Sequence, residues 1–290
     1  MSKTDSILTK INLKANSIID STLNVFFPYK CIACGKYIAQ DFSDEHRVFC
    51  VEHRAFYDEC RVFCAECKEK VYTVKPPYCP YCHVSEIFCC CRKHSHAYDG
   101  AVVPFYYEGA IKDAIKRLKF SAKEHVAVYL GDALGKEIKA RFFGIDFDIL
   151  TCVPTTRQSL AKRGFNQSQS IAENLGITEK SGITDCFGIS DQPKTSEHLG
   201  NNIEKDFRLL IKTKTTQIQH LLSAETRRRN IETAYHLNRG RNVKDKTILL
   251  VDDILTTGAT LDACAKELKL QGAKAVYVAV VAVTKMKDEK

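Results

Sequence analysis

The sequence predicts an α/β fold, in which a parallel sheet carries helices on both faces, preceded by a cysteine-rich metal-binding module. Two observations support this prediction. From residue 98 onward, apolar strand patterns alternate with helical patterns, and eleven of the fourteen cysteines lie between Cys31 and Cys91. Strands that are apolar throughout are typical of parallel sheets buried on both faces. A chain of 290 residues is long enough for both parts.

The elements are predicted in order along the chain. Residues 5–27 form an amphipathic helix, ended by Pro28, that packs on its own protein or else on a partner or a membrane surface. Residues 28–97 form the cysteine-rich module. The α/β domain then spans 98–290, with strands at 101–107, 147–153, 246–252 and 275–283, helices at 109–119, 124–140, 166–175, 222–231 and 259–271, and an insertion or mobile loop at 186–206.

The composition is that of a soluble globular protein, with 44% hydrophobic and 27% charged residues. The longest apolar run, Ala275–Val283, is too short to span a membrane. No signal peptide is visible, so we expect a cytoplasmic protein. The net charge of +8 favours polyanionic partners, such as phosphorylated substrates, nucleic acid or a membrane surface.

The cysteines have the spacing of metal ligands. Two thiolates separated by two residues lie on one tight turn, and two such pairs enclose a tetrahedral Zn²⁺ site that stabilises a stretch poor in apolar residues. Iron–sulfur clusters and redox-active thiols are the alternatives, and disulfides are disfavoured in a reducing compartment. We predict structural zinc held by eight cysteines, whose pairing the spacing leaves open: Cys31, Cys34, Cys64, Cys67, Cys79, Cys82, Cys89 and Cys91, with Cys90 as a substitute in the last pair.

A phosphate-binding loop is predicted at residues 248–261, ILLVDDILTTGATL. An apolar strand leads into two acidic residues, and a Thr/Gly turn then opens a helix whose backbone N–H groups can hold a phosphate. Asp252 and Asp253 are placed to accept hydrogen bonds from the vicinal hydroxyls of a sugar. The predicted phosphate contacts come from the turn and the first helical turn: Thr256, Thr257, Gly258, Ala259 and Thr260.

This segment resembles the signature with which type I phosphoribosyltransferases bind 5-phosphoribosyl-1-pyrophosphate (PRPP) and its Mg²⁺. The purine-salvage members usually carry an acidic residue just before the Thr-Gly step, where this chain has Thr256. The resemblance therefore implies an acceptor that is not a 6-oxopurine, or one that needs no base from the protein.

Three further segments resemble the ComF family of competence proteins. They are CVPTTRQSLAKRGFNQ at 152–167, LSAETRRRN at 222–230, and the cysteine module followed by Tyr107-Glu-Gly and Arg117-Leu-Lys-Phe. The resemblance implies a cytosolic protein needed for natural transformation, which helps single-stranded DNA across the inner membrane. It also implies partners among DNA translocases or helicases and recombination proteins, with the membrane touched only peripherally.

Basic residues in these segments are candidate anion contacts. Arg157 follows a strand in the manner of a pyrophosphate loop, and Lys162 and Arg163 belong to a predicted mobile loop that closes over pyrophosphate. Lys119 is a further phosphate candidate. Contacts to DNA or phosphate are predicted for Arg227, Arg228 and Arg229, although three consecutive helical residues cannot all face one site.

Three functions compete at this stage. The first is Mg²⁺-dependent transfer of a phosphoribosyl group from PRPP to an unknown acceptor in nucleotide salvage or biosynthesis. The second is a DNA-handling protein in which the PRPP site senses a ligand. The third is a non-catalytic adaptor that binds a DNA helicase through the zinc module or the N-terminal helix.

Overall fold

A computed structural model describes residues 30–38, 62–79, 96–121, 124–176, 203–213 and 234–285. The predicted N-terminal helix at 5–27 and the predicted basic helix at 222–231 lie outside these residues. The chain divides into two compact units, Met1–Lys70 and Val71–Lys290. The predicted module boundary after residue 97 stays a prediction, since residues 80–95 are also outside the described part.

Within the described residues, the first unit has one short helix, and the second has the α/β elements. In chain order they are α1 (Ala65–Lys68), β1 (Gly100–Val102), β2 (Phe105–Tyr106), α2 (Gly109–Ser121), α3 (Glu124–Arg141), β3 (Ile149–Cys152), α4 (Arg157–Arg163), α5 (Gln167–Glu173), β4 (Glu204–Lys205), β5 (Leu210–Lys212), β6 (Tyr235–Leu237), β7 (Thr247–Leu255), α6 (Ala259–Leu270) and β8 (Ala275–Val283). Among the described residues, no helix combines the length and hydrophobicity needed to cross a bilayer.

The main sheet is parallel, with strand order β1-β8-β7-β3-β4, and β2 continues the edge beside β8. The two long strands β7 and β8 lie side by side, and Leu250 of β7 pairs with Val278 on one side and Thr151 on the other. Because every strand runs the same way, the carboxyl ends of β3, β7 and β8 meet at one edge. Ligands of open α/β sheets bind at such edges.

Both faces of the sheet are covered, as the sequence predicts. Ile248 and Leu250 point to the face where α6 packs, and they share a core cluster with Leu261 and Leu268 of that helix. Leu249 and Val251 alternate to the opposite face and are fully buried. There α5 contacts β7 and β3, and α3 contacts β8 and β1.

Several elements differ from the sequence prediction. The strand expected at 101–107 is two short strands, because Pro104 has no N–H for the ladder. The carbonyl of Pro104 instead accepts from the N–H of Val74 at 2.8 Å. The strand expected to end at residue 252 continues to Leu255. A seven-residue helix, α4, replaces the mobile loop expected around Lys162 and Arg163.

An antiparallel ribbon, β5–β6, was not predicted. Its strands have three residues each and are separated by more than twenty residues of sequence. Strands this short show no readable alternation. The ribbon is tied to α6, since the N–H of Leu237 donates to Oε1 of Glu267 at 3.0 Å.

Two glycines allow α3 to pack closely on the end of α5. A Cβ built on Gly131 would lie 2.7 Å from the carbonyl oxygen of Asn174, and one on Gly135 would lie 1.8 Å from that of Leu175. Neither distance is tolerated by a real side chain, so the helix–helix spacing depends on the missing methyl groups.

Gly135→Ala is therefore expected to destabilise the protein by about 2–3 kcal/mol through overpacking, despite the better helix propensity of Ala. Urea unfolding measures the change. The matched control is Lys136→Ala on the exposed face of the same helix, which we expect to stay within about 0.5 kcal/mol of the parent chain. A Gly135→Ala chain as stable as the parent would contradict the packing argument.

Candidate functional site

The predicted phosphate loop lies at the carboxyl edge of the sheet, between β7 and α6. Gly258 is the N-cap of α6 and has a φ of 78°, a left-handed conformation that side-chain-bearing residues rarely adopt. Gly258 is buried, whereas Thr256 and Thr257 are exposed. Gly258 has no side chain with which to cap the helix. The N–H of Ala259 lies 3.5 Å from Oγ1 of Thr257, a long hydrogen bond that an anion can replace.

The acidic pair lies on β7 immediately before this loop. Asp252 accepts hydrogen bonds from the hydroxyl of Ser168 at 2.8 Å and from the backbone N–H of Asp253 at 2.9 Å. Asp253 forms an ion pair with Nζ of Lys119 on α2 at 2.6 Å. Helices α2 and α5 thus fix both carboxylates, and Lys119, a predicted phosphate contact, is placed on the acidic pair.

The charge of Asp253 adds to the cost of ionising Asp252. Burial, and then the neighbouring charge of Asp253, raise the pKa of Asp252 from its usual 3.8 to about 7, against the lowering effects of Ser168, the Asp253 N–H and Lys119. Near neutral pH the pair is therefore only partly ionised. One carboxyl group can donate a hydrogen bond while the other accepts, which suits a pair of sugar hydroxyls.

The predicted pyrophosphate loop follows β3, the neighbour of β7. Asn166 fixes this loop by donating from Nδ2 to the carbonyl of Val153 at 3.0 Å. Thr156 caps α4 by accepting from the N–H of Ser159. Because β3 and β7 are adjacent and parallel, this loop lies beside the phosphate loop.

The basic residues of that segment all lie on α4. Arg157, Lys162 and Arg163 are exposed, and Nη1 of Arg163 donates to Oε1 of Gln167 at 3.1 Å. The helix ends at Gly164, which has a φ of 83°. The three side chains therefore extend from a short helix that begins where the pyrophosphate loop ends. The predicted contacts Arg227, Arg228 and Arg229 lie outside the described residues.

A cavity of about 460 Å³ opens beside the pyrophosphate loop. It is lined by Thr155 of that loop, Leu160 of α4 and the segment Lys205–Arg208 that follows β4. Lys205 and Arg208 are exposed and make no ion pair within the part of the chain that the structure describes. The half-buried Phe207 adds an aromatic ring to the same wall.

The ribbon brings two residues to the site that sequence reasoning missed. Thr260, in the first turn of α6, is close enough to Tyr235 to lower the pKa of its hydroxyl, against the larger raising effect of burial. Nζ of Lys212 lies 5.0 Å from the centre of the Tyr235 ring. Burial lowers the pKa of Lys212 and raises that of Tyr235. No sequence signal marks them, because the short strands that carry them were themselves not recognised.

Four cysteines of the first unit converge on one point. The ligand sulfurs of Cys31, Cys34, Cys64 and Cys67 lie within 4.8 Å of one another, which pairs the first two C-x2-C motifs. The Sγ atoms of Cys34 and Cys64 are 3.7 Å apart. Tetrahedral Zn²⁺ with Zn–S bonds of about 2.3 Å requires sulfurs about 3.8 Å apart, so the cluster fits this ion.

The local backbone favours the thiolate form at one member of the cluster, Cys31, whereas burial raises the pKa of Cys34 and Cys67. Burial raises the pKa of the Cys31 thiol, but backbone N–H groups of Cys34, Cys64 and Ala33 donate to its sulfur and bring that pKa down to about 7. Two tight turns supply the knuckles: the N–H of Gly35 donates to the carbonyl of Cys31, and the N–H of Cys67 donates to that of Cys64.

The second predicted set of ligands stays a prediction. Cys79 is 5% exposed and belongs to the core cluster of the second unit, whereas the four clustered cysteines belong to the first unit. Cys82, Cys89 and Cys91 lie outside the described residues. The pairing of the first site is therefore the part of the zinc prediction for which the structure has a geometry.

Comparisons with known proteins converge on one family. A family model described as the phosphoribosyl transferase domain matches residues 161–290. The DNA utilization protein YhgH of Escherichia coli strain K12 is 30% identical over 175 residues, which are 59% of this chain and 66% of that protein. The chain thus spans just under two thirds of the length of this relative.

Two other relatives carry competence names. Competence protein F of Haemophilus influenzae is 26% identical over 70% of this chain and 82% of that protein. Competence protein ComFC of Streptococcus pneumoniae is 27% identical over 59% of this chain and 63% of that protein. Among solved structures, a hypoxanthine phosphoribosyltransferase from Staphylococcus aureus aligns at 13% identity with a TM-score of 0.31, covering 57% of this chain and 76% of that one.

The four-cysteine cluster predicts a metal stoichiometry. Replacing Cys64 by Ser removes one thiolate, and we expect the purified chain to carry one zinc ion fewer than the parent. Metal content measured by atomic emission on the folded protein tests this. Cys152→Ala, which removes a buried thiol of β3 outside the cluster, serves as the control and should leave the metal content unchanged.

The raised pKa of Asp252 predicts a pH-dependent stability. Ionising this group costs more in the folded than in the unfolded chain. The protonated form of Asp252 therefore contributes fully to the free energy of unfolding below about pH 4, and this contribution is lost as the pH rises through about 7. Asp252→Asn removes that loss. We expect the stability of the variant relative to the parent to rise between pH 4 and pH 8 by up to about 4 kcal/mol.

Urea unfolding of both chains over this pH range measures the difference, in which any titration of the cysteine site cancels. Asp132→Asn, on the partly exposed surface of α3, is the matched control. A difference between the Asp252→Asn chain and the parent that stays constant with pH would contradict the assigned cause.

Proposed function

The chain is a ComF-type member of the type I phosphoribosyltransferase superfamily, and from this premise we propose that it binds PRPP and acts in competence by assisting the uptake of single-stranded DNA. The main support for the proposal is the arrangement of groups at the carboxyl edge of the sheet. There an uncapped helix N-terminus, an acidic pair and a pyrophosphate-type loop lie on adjacent parallel strands.

Each part of PRPP has a matching group at this edge. The turn at Thr256–Gly258 and the first turn of α6 would hold the 5-phosphate. Asp252 and Asp253 would bind the ribose hydroxyls. The loop before Arg157, with the basic side chains of α4, would face the pyrophosphate, and Mg²⁺ would enter with that group and neutralise part of its charge.

DNA handling is supported by two kinds of observation. The relatives in Escherichia coli, Haemophilus influenzae and Streptococcus pneumoniae are named for DNA utilization or competence. In this chain, the exposed cations Lys205 and Arg208 flank a cavity that Phe207 also lines. Cations for phosphates and an aromatic ring for bases are the elements with which proteins bind single strands.

Transfer of the phosphoribosyl group to an acceptor is a second candidate function. It is favoured by the acidic pair, because Asp252 has a pKa near 7 and can exchange a proton at neutral pH. It also requires positioning more than a strong nucleophile. Release of pyrophosphate in the presence of an acceptor would separate this activity from binding alone.

The experiment that tests the proposal uses a glycine pair. Gly258→Val fills the phosphate loop, and we expect PRPP binding in the presence of Mg²⁺ to weaken at least about 100-fold, since a side chain replaces the close backbone approach. Gly144→Val is the matched control. Gly144 has nearly the same φ, 77°, but lies between α3 and β3, at the opposite edge of the sheet.

Calorimetric titration measures binding, and transformation frequency in a naturally competent host measures function. Loss of both in Gly258→Val, with the Gly144→Val chain retaining both, is the expected result. Strong PRPP binding by a folded Gly258→Val chain would place the ligand elsewhere. Normal transformation by a chain that no longer binds PRPP would show that DNA uptake does not require this site.

A further inference from the structure

A histidine from the end of the cysteine-rich stretch lies against the phosphate loop. A Cβ built on Gly258 would be 3.7 Å from Cε1 of His96 and 3.9 Å from its Nδ1. The Nδ1–Cε1 edge of the imidazole therefore faces the left-handed turn that opens α6. The side chain of His96 is only 10% exposed, so its position is defined by its neighbours.

Three contacts hold the ring in this orientation. Nδ1 lies 3.3 Å from both carboxylate oxygens of Asp262, in the first turn of α6. The ring stacks on Tyr98, with centroids 4.6 Å apart and planes inclined by 13°. The N–H of Ala97 donates to Oδ1 of Asp262 at 3.0 Å, which fixes the carboxylate itself. The backbone N–H of Ala97 thus holds this segment on α6 independently of the imidazole.

The other ring nitrogen is available to a ligand. Nε2 makes no hydrogen bond to the described residues, although the ring is nearly buried beside a helix N-terminus that lacks a side-chain cap. A carboxylate on Nδ1 fixes the ring hydrogen on that atom, so Nε2 faces away from Asp262 with a lone pair. A phosphate monoester binds its second proton with a pKa of about 6. Nε2 and a phosphate oxygen can therefore share that proton in one hydrogen bond.

We propose that His96 is a further phosphate-binding residue, positioned by Asp262, which contacts the phosphate group held by the turn at Thr256–Gly258. The inference rests on the proposed function, because it assigns a second kind of donor to the same anion site. The backbone N–H groups supply fixed dipoles, and the imidazole shares a proton with a phosphate oxygen. Asp262 is a positioning residue, since its carboxylate is directed at His96 and Ala97.

Two small ligands test binding of the 5-phosphate and binding of the pyrophosphate separately. Ribose 5-phosphate carries only the group that the loop would hold, and Mg²⁺–pyrophosphate carries only the other. In the full chain, we expect His96→Ala to weaken ribose 5-phosphate binding about tenfold or more, the loss of one charge-assisted hydrogen bond. Pyrophosphate binding should stay within about twofold of the parent.

Matched variants guard against a purely structural effect. His236→Ala removes an exposed imidazole from β6 and should leave both affinities unchanged. His96→Gln keeps a side-chain donor and should recover part of the lost affinity. Imidazole ¹⁵N spectra of the parent chain give a readout that needs no variant: the Nε2 resonance of His96 should move on addition of ribose 5-phosphate and not on addition of pyrophosphate.

The outcomes distinguish the two proposals. A parent chain that binds neither PRPP nor ribose 5-phosphate overturns the proposed function and this inference with it. A parent chain that binds both, alongside a His96→Ala chain of equal affinity, overturns only the role of His96. If the variant fails to fold, a His96 resonance that does not respond to ribose 5-phosphate overturns it equally.

Discussion

The placement of β7 in the interior of a parallel sheet is the constraint on which the rest of the structure depends. Its first five residues are buried between the two helical layers, and the strand then runs to the open carboxyl edge of the sheet. The acidic pair and the phosphate loop are consequently held at that edge by the most rigid part of the domain. Neighbouring β3 brings the pyrophosphate-type loop to the same place by the same rule.

Charge at this edge is balanced against burial. Asp252 and Asp253 repel each other, and Lys119 and Ser168 only partly compensate. Hydroxyl donors from a sugar would relieve the remaining cost, because they hydrogen-bond the carboxylates without adding negative charge. A polar group that destabilises the free protein and is satisfied by a ligand is the usual arrangement at binding sites. The phosphate loop shows the complementary case, with helix N–H donors that an anion would satisfy.

The unit with the four-cysteine cluster derives its stability differently. Its described segments bury few apolar side chains, chiefly Ile32, Val62 and Phe63. A unit of this kind cannot derive much stability from hydrophobic burial, and four convergent thiolates supply the missing constraint when they bind an ion. The α/β unit shows the opposite balance, since its sheet and helices bury two apolar layers.

The sequence by itself determined the features written in local patterns. Alternating apolar segments predicted the parallel sheet with helices on both faces, and the C-x2-C spacing predicted a metal site, because both signals arise from neighbours along the chain.

The tertiary structure decided what depends on distant residues. It paired Cys31 and Cys34 with Cys64 and Cys67, placed Lys119 on Asp253, and brought His96 to Gly258 across more than 160 residues. It also formed the β5–β6 ribbon, whose strands are too short to leave a periodic signal and are stabilised by packing on α6. Contacts of this kind follow from the order of strands in the sheet, which no local pattern encodes.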